Sequence, residues 1–112
     1  MKTQSAKAKG RRLQQWVRDQ LIEKLEVHPE DIESRSMGAG GEDLIMARAA
    51  RAKFPYSIEC KNRQDFKQLY NYWSQTKSHS NLEPLLVVKM NRERPLAIID
   101  LEHLFELVKE EV

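Results

Sequence analysis

Asp43 and, sixteen positions on, Glu59-Cys60-Lys61 are the residues of this chain whose types and spacing could do chemistry together. They lie in a stretch that reads Gly38-Ala39-Gly40-Gly41-Glu42-Asp43, then an apolar Leu44-Ile45-Met46-Ala47. A basic connection through Arg48, Arg51 and Lys53 follows, and then Tyr56-Ser57-Ile58-Glu59-Cys60-Lys61. Both apolar runs are short and bounded by turn or charged residues, which predicts two neighbouring strands joined by a loop, the second reached through Pro55. Pairing would bring Asp43 beside Glu59. Because side chains alternate along a strand, Glu59 and Lys61 would point one way and Cys60 the other.

Two carboxylates about 4 Å apart repel by roughly 4 kcal/mol at an effective dielectric of about 20, so a fold that juxtaposes them needs a compensating positive charge. A hard divalent cation meets that need. Magnesium takes a few carboxylate oxygens, waters and often a substrate phosphate, and the Cys60 main-chain carbonyl could add a ligand. Lys61 would hold a phosphate oxygen or orient the attacking water. The chemistry implied is phosphodiester hydrolysis.

Asp43 with Glu59-Cys60-Lys61 resembles the PD-(D/E)XK nuclease superfamily, and most of the chain resembles its small archaeal-type and phage Holliday junction resolvase branch. The matching pieces are Lys9-Gly10 opening a helix, Ser34 to Gly41 ahead of Asp43, Glu59 with Lys61, and the apolar strand Pro84 to Lys89. The resemblance implies a metal-dependent, structure-selective DNA endonuclease that acts as a homodimer on branched or duplex DNA. Asp43, Glu59 and the Cys60 carbonyl would hold magnesium (or manganese), and Lys61 would position water and phosphate. Where the branch has an acid on its first helix this chain has Gln14, which can bind a metal-held water but supplies no charge. A nicking or flap nuclease of the same superfamily is the nearest alternative. A nucleic-acid-binding module that lost catalysis, motivated by Gln14, and a subunit active only with a partner protein are the others.

The length of 112 residues predicts a single domain with one modest core. The net charge of +2 says little about partners, but its distribution says more. Lys2, Lys7, Lys9, Arg11 and Arg12 occupy a segment without any acid, so residues 1–10 read as a basic arm suited to phosphates, or as a solvated tail. A single cysteine excludes an intramolecular disulfide framework and suits a reducing cytoplasm, that of a bacterium or a phage-infected host cell. The longest apolar run, Leu85 to Val88, is far below the ~20 residues of a membrane helix.

Leu13, Trp16, Val17, Leu21 and Leu25 repeat at helical spacing from Arg11 to Val27, and His28-Pro29 ends the pattern. Gln14 lies at the edge of that face, toward the site or toward solvent. Asp31 to Ser36 reads as an edge strand antiparallel to the Asp43 strand. Asp65, with Gln68, is placed to cap a second helix whose stripe is Phe66, Leu69, Tyr70 and Trp73, a core or dimer face. Pro84 to Lys89 has the unbroken apolar character of a central strand, and Leu96 to Ile99 completes a hairpin. Asp100 caps a closing helix. The order predicts an α/β, restriction-endonuclease-like fold, a central mixed five-stranded sheet flanked by helices. Candidate DNA contacts are Lys7, Lys9, Arg11 and Arg12, then Arg35, Ser36, Gly40, Gly41 and Arg63, and on the second helix Gln75 and Lys77. Arg48, Arg51 and Lys53 also flank the proposed site.

Overall fold

Gly10, Gln14, Val17, Leu21 and Leu25 recur at helical spacing and are all buried, forming the inner stripe of helix α1 (Lys2–Leu25). The computed structural model describes residues 2–35 and 42–111, with side chains from Lys7 onward. Helix α1 starts well before Arg11, so the basic segment is its opening turns. Ala6, Lys7, Ala8 and Lys9 are strong helix formers, and adding residues to an existing helix is easier than nucleating one. Trp16, expected on the inner stripe, is 40% exposed, because the stripe runs through Gln14 and Val17 instead.

The end of α1 is tied down by groups from elsewhere. Glu26 adopts φ 58°, the left-handed region that glycine usually fills, and the Val27 N–H donates to the Leu21 carbonyl at 3.3 Å. Lys53 Nζ donates to the Glu26 carbonyl at 2.5 Å. A 3-10 turn, Pro29–Asp31, follows, capped by His28 Nδ1, which accepts the Glu30 N–H at 3.1 Å. Arg18 on α1 donates to the carbonyls of Ile32 and Pro29, both at 3.2 Å, pinning the helix to the strand that comes next.

Strands β1 (Ile32–Ser34) and β2 (Leu44–Met46) pair antiparallel, as the edge-strand reading anticipates, with Ile32 opposite Met46 and Ser34 opposite Leu44. Ile32, Leu44 and Met46 turn inward onto α1, while Glu33 and Ile45 turn out. The connection expected as a loop is a short helix, α2 (Arg48–Lys53), which buries Ala50. A single buried position in six residues leaves no periodicity to read. Phe54, at its end, packs on Tyr56 (ring centroids 4.5 Å) and edge-on against Phe105 (5.6 Å).

The chain divides into two compact units, residues 1–63 with 105–112, and residues 64–104. The first holds every buried residue among those described, including Phe105 near the C-terminal end. The second contains α3 (Lys67–Ser78) and the antiparallel hairpin β3 (Leu86–Val88) and β4 (Leu96–Ile98), with Val87 opposite Ala97. Helix α4 (Leu101–Glu111) begins in the second unit, where Asp100 Oδ1 accepts the N–H groups of Glu102 (2.8 Å) and His103 (3.3 Å), the expected cap.

Four expectations give way here. Strand pairing among the described residues is confined to two two-stranded sheets, not one five-stranded sheet. The segment 56–61, expected as a full strand, shares only one main-chain bond with the Asp43 strand, for a reason given below. The strand expected at a sheet centre, β3, is only half-buried at Leu86 and Val88, and Val87 is 61% exposed. At the start of α3 the N-cap is Phe66 with no side-chain cap, because the helix begins one residue later than an Asp65 cap requires. No helix of the described residues is long and apolar enough to cross a membrane.

Candidate active site

Asp43 is held through its main chain from both sides. Its carbonyl accepts the Arg35 N–H at 2.8 Å, just beyond β1, and its own N–H donates to the Ile58 carbonyl at 3.0 Å. Ile58 is thereby brought alongside Asp43, and with it the extended residues that follow. Two residues on from Ile58, the Cys60 N–H donates to Asp43 Oδ2 at 2.5 Å. In a continuing ladder that N–H would serve a main-chain carbonyl. The Asp43 carboxylate takes it instead, which ends strand pairing at this point and fixes the carboxylate over the Glu59-Cys60 peptide.

Glu59 and Lys61 lie on one side of that extended segment, Lys61 Nζ 3.8 Å from Glu59 Oε2. Both side chains are well exposed, so this pair contributes little to stability and leaves both groups available to a substrate. Cys60, half-buried, lies between the acids: burial first, then the charges of Asp43 and Glu59, push its thiol up to about 11 from the ordinary 9.0. The Asp43 carboxylate thus meets the Cys60 main chain, and the Glu59–Lys61 pair flanks Cys60 in the chain.

A raised thiol pKa keeps the proton in the folded state, so the stability it confers is complete below about pH 9 and is lost as pH rises through about 11. Two pKa units correspond to about a hundredfold less thiolate at pH 8. Alkylation of the native protein at pH 8 should therefore run about a hundredfold slower than for the unfolded chain. The rate should climb with a midpoint near pH 11. A native midpoint near 9 would mean that neither burial nor the charges of Asp43 and Glu59 act on the thiol.

Gln14 is 2% exposed, so of its two anticipated orientations the solvated one is set aside. Its Oε1 accepts the Ser34 hydroxyl at 2.8 Å, bolting α1 to the end of β1. Ser34 precedes Arg35, whose N–H holds Asp43, so Gln14 reaches the acid strand through β1. The side chain supplies a buried polar anchor where an ionised acid would need a partner.

The anticipated DNA contacts separate into groups. Lys7, Arg11 and Arg12 are exposed on α1 and Lys9 is half-buried there. Arg63 is exposed at the end of the first unit, and Gln75 and Lys77 are exposed on α3 in the second. Arg35 Nε donates to the Glu42 carbonyl at 2.7 Å. Arg51 Nη2 donates to both Glu42 oxygens, at 2.8 and 2.7 Å, so this guanidinium is engaged within the protein. Ser36, Gly40 and Gly41 lie outside the described residues.

Glu42 is the residue that sequence reasoning missed. Hydrogen bonding from Arg51 holds its carboxyl below the ordinary value, against a smaller opposing desolvation, with the Arg51 charge, a Ser57 hydrogen bond and the Arg35 charge in support. Its only sequence signal is its place beside Asp43.

The donor set fits a hard divalent cation. Asp43 has a second carboxylate oxygen, Glu59 is exposed and weakly held, and the Cys60 carbonyl belongs to the same segment. No group of three or more His, Cys, Asp or Glu side chains is assembled for a metal among the described residues. Two carboxylates, with waters and substrate phosphate completing the shell, is the arrangement magnesium tolerates and zinc does not favour.

Residues 5–112, running through both units, match the family described as "Phage putative PDDEXK endonuclease". No curated protein and no solved structure matches the chain.

Proposed function

The chain belongs to this phage PD-(D/E)XK endonuclease family, and from that premise we propose that it is a metal-dependent DNA endonuclease, structure-selective and of the Holliday junction resolvase type. The observation that supports the reading is the Asp43 carboxylate seated on the Cys60 N–H, with Cys60 flanked in the chain by the paired Glu59 and Lys61. Asp43 and Glu59, with the Cys60 carbonyl, would hold magnesium or manganese. When bound, such an ion polarises the phosphate and lowers the pKa of a bound water. Lys61, on the same side as Glu59, places its ammonium group on a phosphate oxygen or on the attacking water.

The proposal extends to a single nuclease domain over residues 1–112 that acts as a homodimer in the cytoplasm of a bacterial or phage-infected host cell. Lys7, Lys9, Arg11 and Arg12 would supply phosphate contacts from α1. Arg63, Gln75 and Lys77 would add to them, with Arg35, Ser36, Gly40 and Gly41 near the site.

A second reading, a DNA-binding module without catalysis, is favoured by one observation: Gln14, where related nucleases carry an acid, is buried and occupied by Ser34. A panel of labelled four-way, flap, single-stranded and duplex DNAs, each with magnesium, manganese or no metal, separates the two. Metal-dependent cutting of four-way junctions ahead of duplex is the expected result. Binding without cutting under every condition would establish the second reading, and preferential flap cutting would replace the resolvase assignment.

A further inference from the structure

The end of β1 and helix α2 meet at Glu42, and a third segment of the site is reached through Arg51. Its carboxylate accepts two contacts from Arg51 Nη2 on α2, at 2.8 and 2.7 Å. Its main-chain carbonyl accepts Arg35 Nε at 2.7 Å, from the end of β1. Arg51 reaches onward as well, its Nη1 lying 3.5 Å from the Tyr56 carbonyl. Glu42 immediately precedes Asp43, so these contacts bear on both halves of the acid cluster.

We propose that Glu42 is a positioning residue: through Arg51, which also reaches the Tyr56 carbonyl, it locks the segment that carries Glu59 and Lys61 against the segment that carries Asp43. An isolated exposed ion pair contributes little. This pair differs because its guanidinium also reaches the Tyr56 carbonyl and both partners are only about one-third exposed (Arg51 39%, Glu42 34%). The Asp43-to-Ile58 and Cys60-to-Asp43 bonds are few, and two bonds alone leave the 56–61 segment free to slide. Glu42 adds the lateral restraint. With both oxygens turned to Arg51, it is not arranged as a further ligand for a cation, and Arg51 is not arranged to greet a phosphate.

The inference rests on the nuclease reading for its kinetic test and stands apart from it in its structural test. The structural measurement is exchange of the Cys60 amide proton, followed by NMR in metal-free protein, with the Leu21 amide in α1 as reference. Glu42→Ala should speed Cys60 exchange at least tenfold while Leu21 is unchanged, and Glu42→Gln should give an intermediate acceleration. In cleavage assays kcat should fall at least tenfold with KM within twofold of the parent. The exchanged pair Glu42→Arg with Arg51→Glu should recover both readouts to within threefold. Cys60 exchange within twofold of the parent in both single variants would overturn the proposal. So would a rise in KM with kcat retained, which would assign the pair to DNA contact. If Glu42→Ala does not fold, Glu42→Gln carries the test alone. If the parent protein cuts no DNA, the nuclease reading fails, while the exchange measurement still decides the role of Glu42.

Discussion

Asp43→Ala should lose cleavage by on the order of a thousandfold, the scale seen when a group that acts on the transition state is removed. The loss has two sources that Asp43→Asn separates. Alanine removes the acceptor for the Cys60 N–H as well as the charge, so the Glu59-Lys61 segment loses its register and a part-buried donor is left without a partner. Leaving such a donor unmade costs about 1–3 kcal/mol. Asparagine keeps an oxygen for that N–H and gives up the charge, so it should be as inactive as alanine while staying within about 1 kcal/mol of the parent in stability. Lys61→Ala should match the loss of activity with almost no change in stability, because the side chain is 62% exposed and its pairing with Glu59 is an exposed one. Cleavage rates, urea melts and metal-free DNA binding, taken together on the three variants, check the argument. DNA binding should hold within a few fold throughout. Substantial cutting by Asp43→Asn would remove the charge from the mechanism.

Phe105→Ala should have the largest effect on stability, about 3–5 kcal/mol, the usual range for truncating a fully buried phenylalanine. The ring is 1% exposed and meets Phe54 edge-on at 5.6 Å. Alanine would lose that contact and leave a void beside Phe54, which stands one residue ahead of Pro55 at the start of the segment that leads to Glu59. For a domain whose whole stability is about 5–15 kcal/mol, this is a large share. Activity of this variant should be near normal in the cold and fail steeply on warming, the reverse of the Asp43 pattern. Urea unfolding and the temperature dependence of cutting test it. A loss under about 1 kcal/mol would mean that the C-terminal helix does not complete the first unit.

The two variants mark what the sequence makes visible. Strand alternation alone places Glu59 and Lys61 on one side and Cys60 on the other, and the ion pair and the half-buried thiol agree with it. Hairpin pairing of β1 with β2 and of β3 with β4, and the Asp100 cap, follow from short-range patterns of the same kind. What escapes is decided by tertiary contacts. The helix at Arg48–Lys53 is too short to show a period, and Gln14 looks solvated until Ser34 is seen beneath it. Glu42 is one acid among many until Arg51 turns toward it. The apolar run at Leu86–Val88 carries the composition of a buried strand, yet burial depends on what lies over it, which composition does not encode.

The opening turns of α1 have a bearing on how the chain would meet a polyanion. Lys7 and Arg11, four residues apart and both exposed, stand one above the other on a preformed rod, about 6 Å along its axis. A floppy basic tail must give up conformational freedom to line its charges along a strand, and that loss subtracts from affinity. Charges already ranked on a helix bring no such debt, so substituting them should change the steepness of the salt dependence more than the entropy of association.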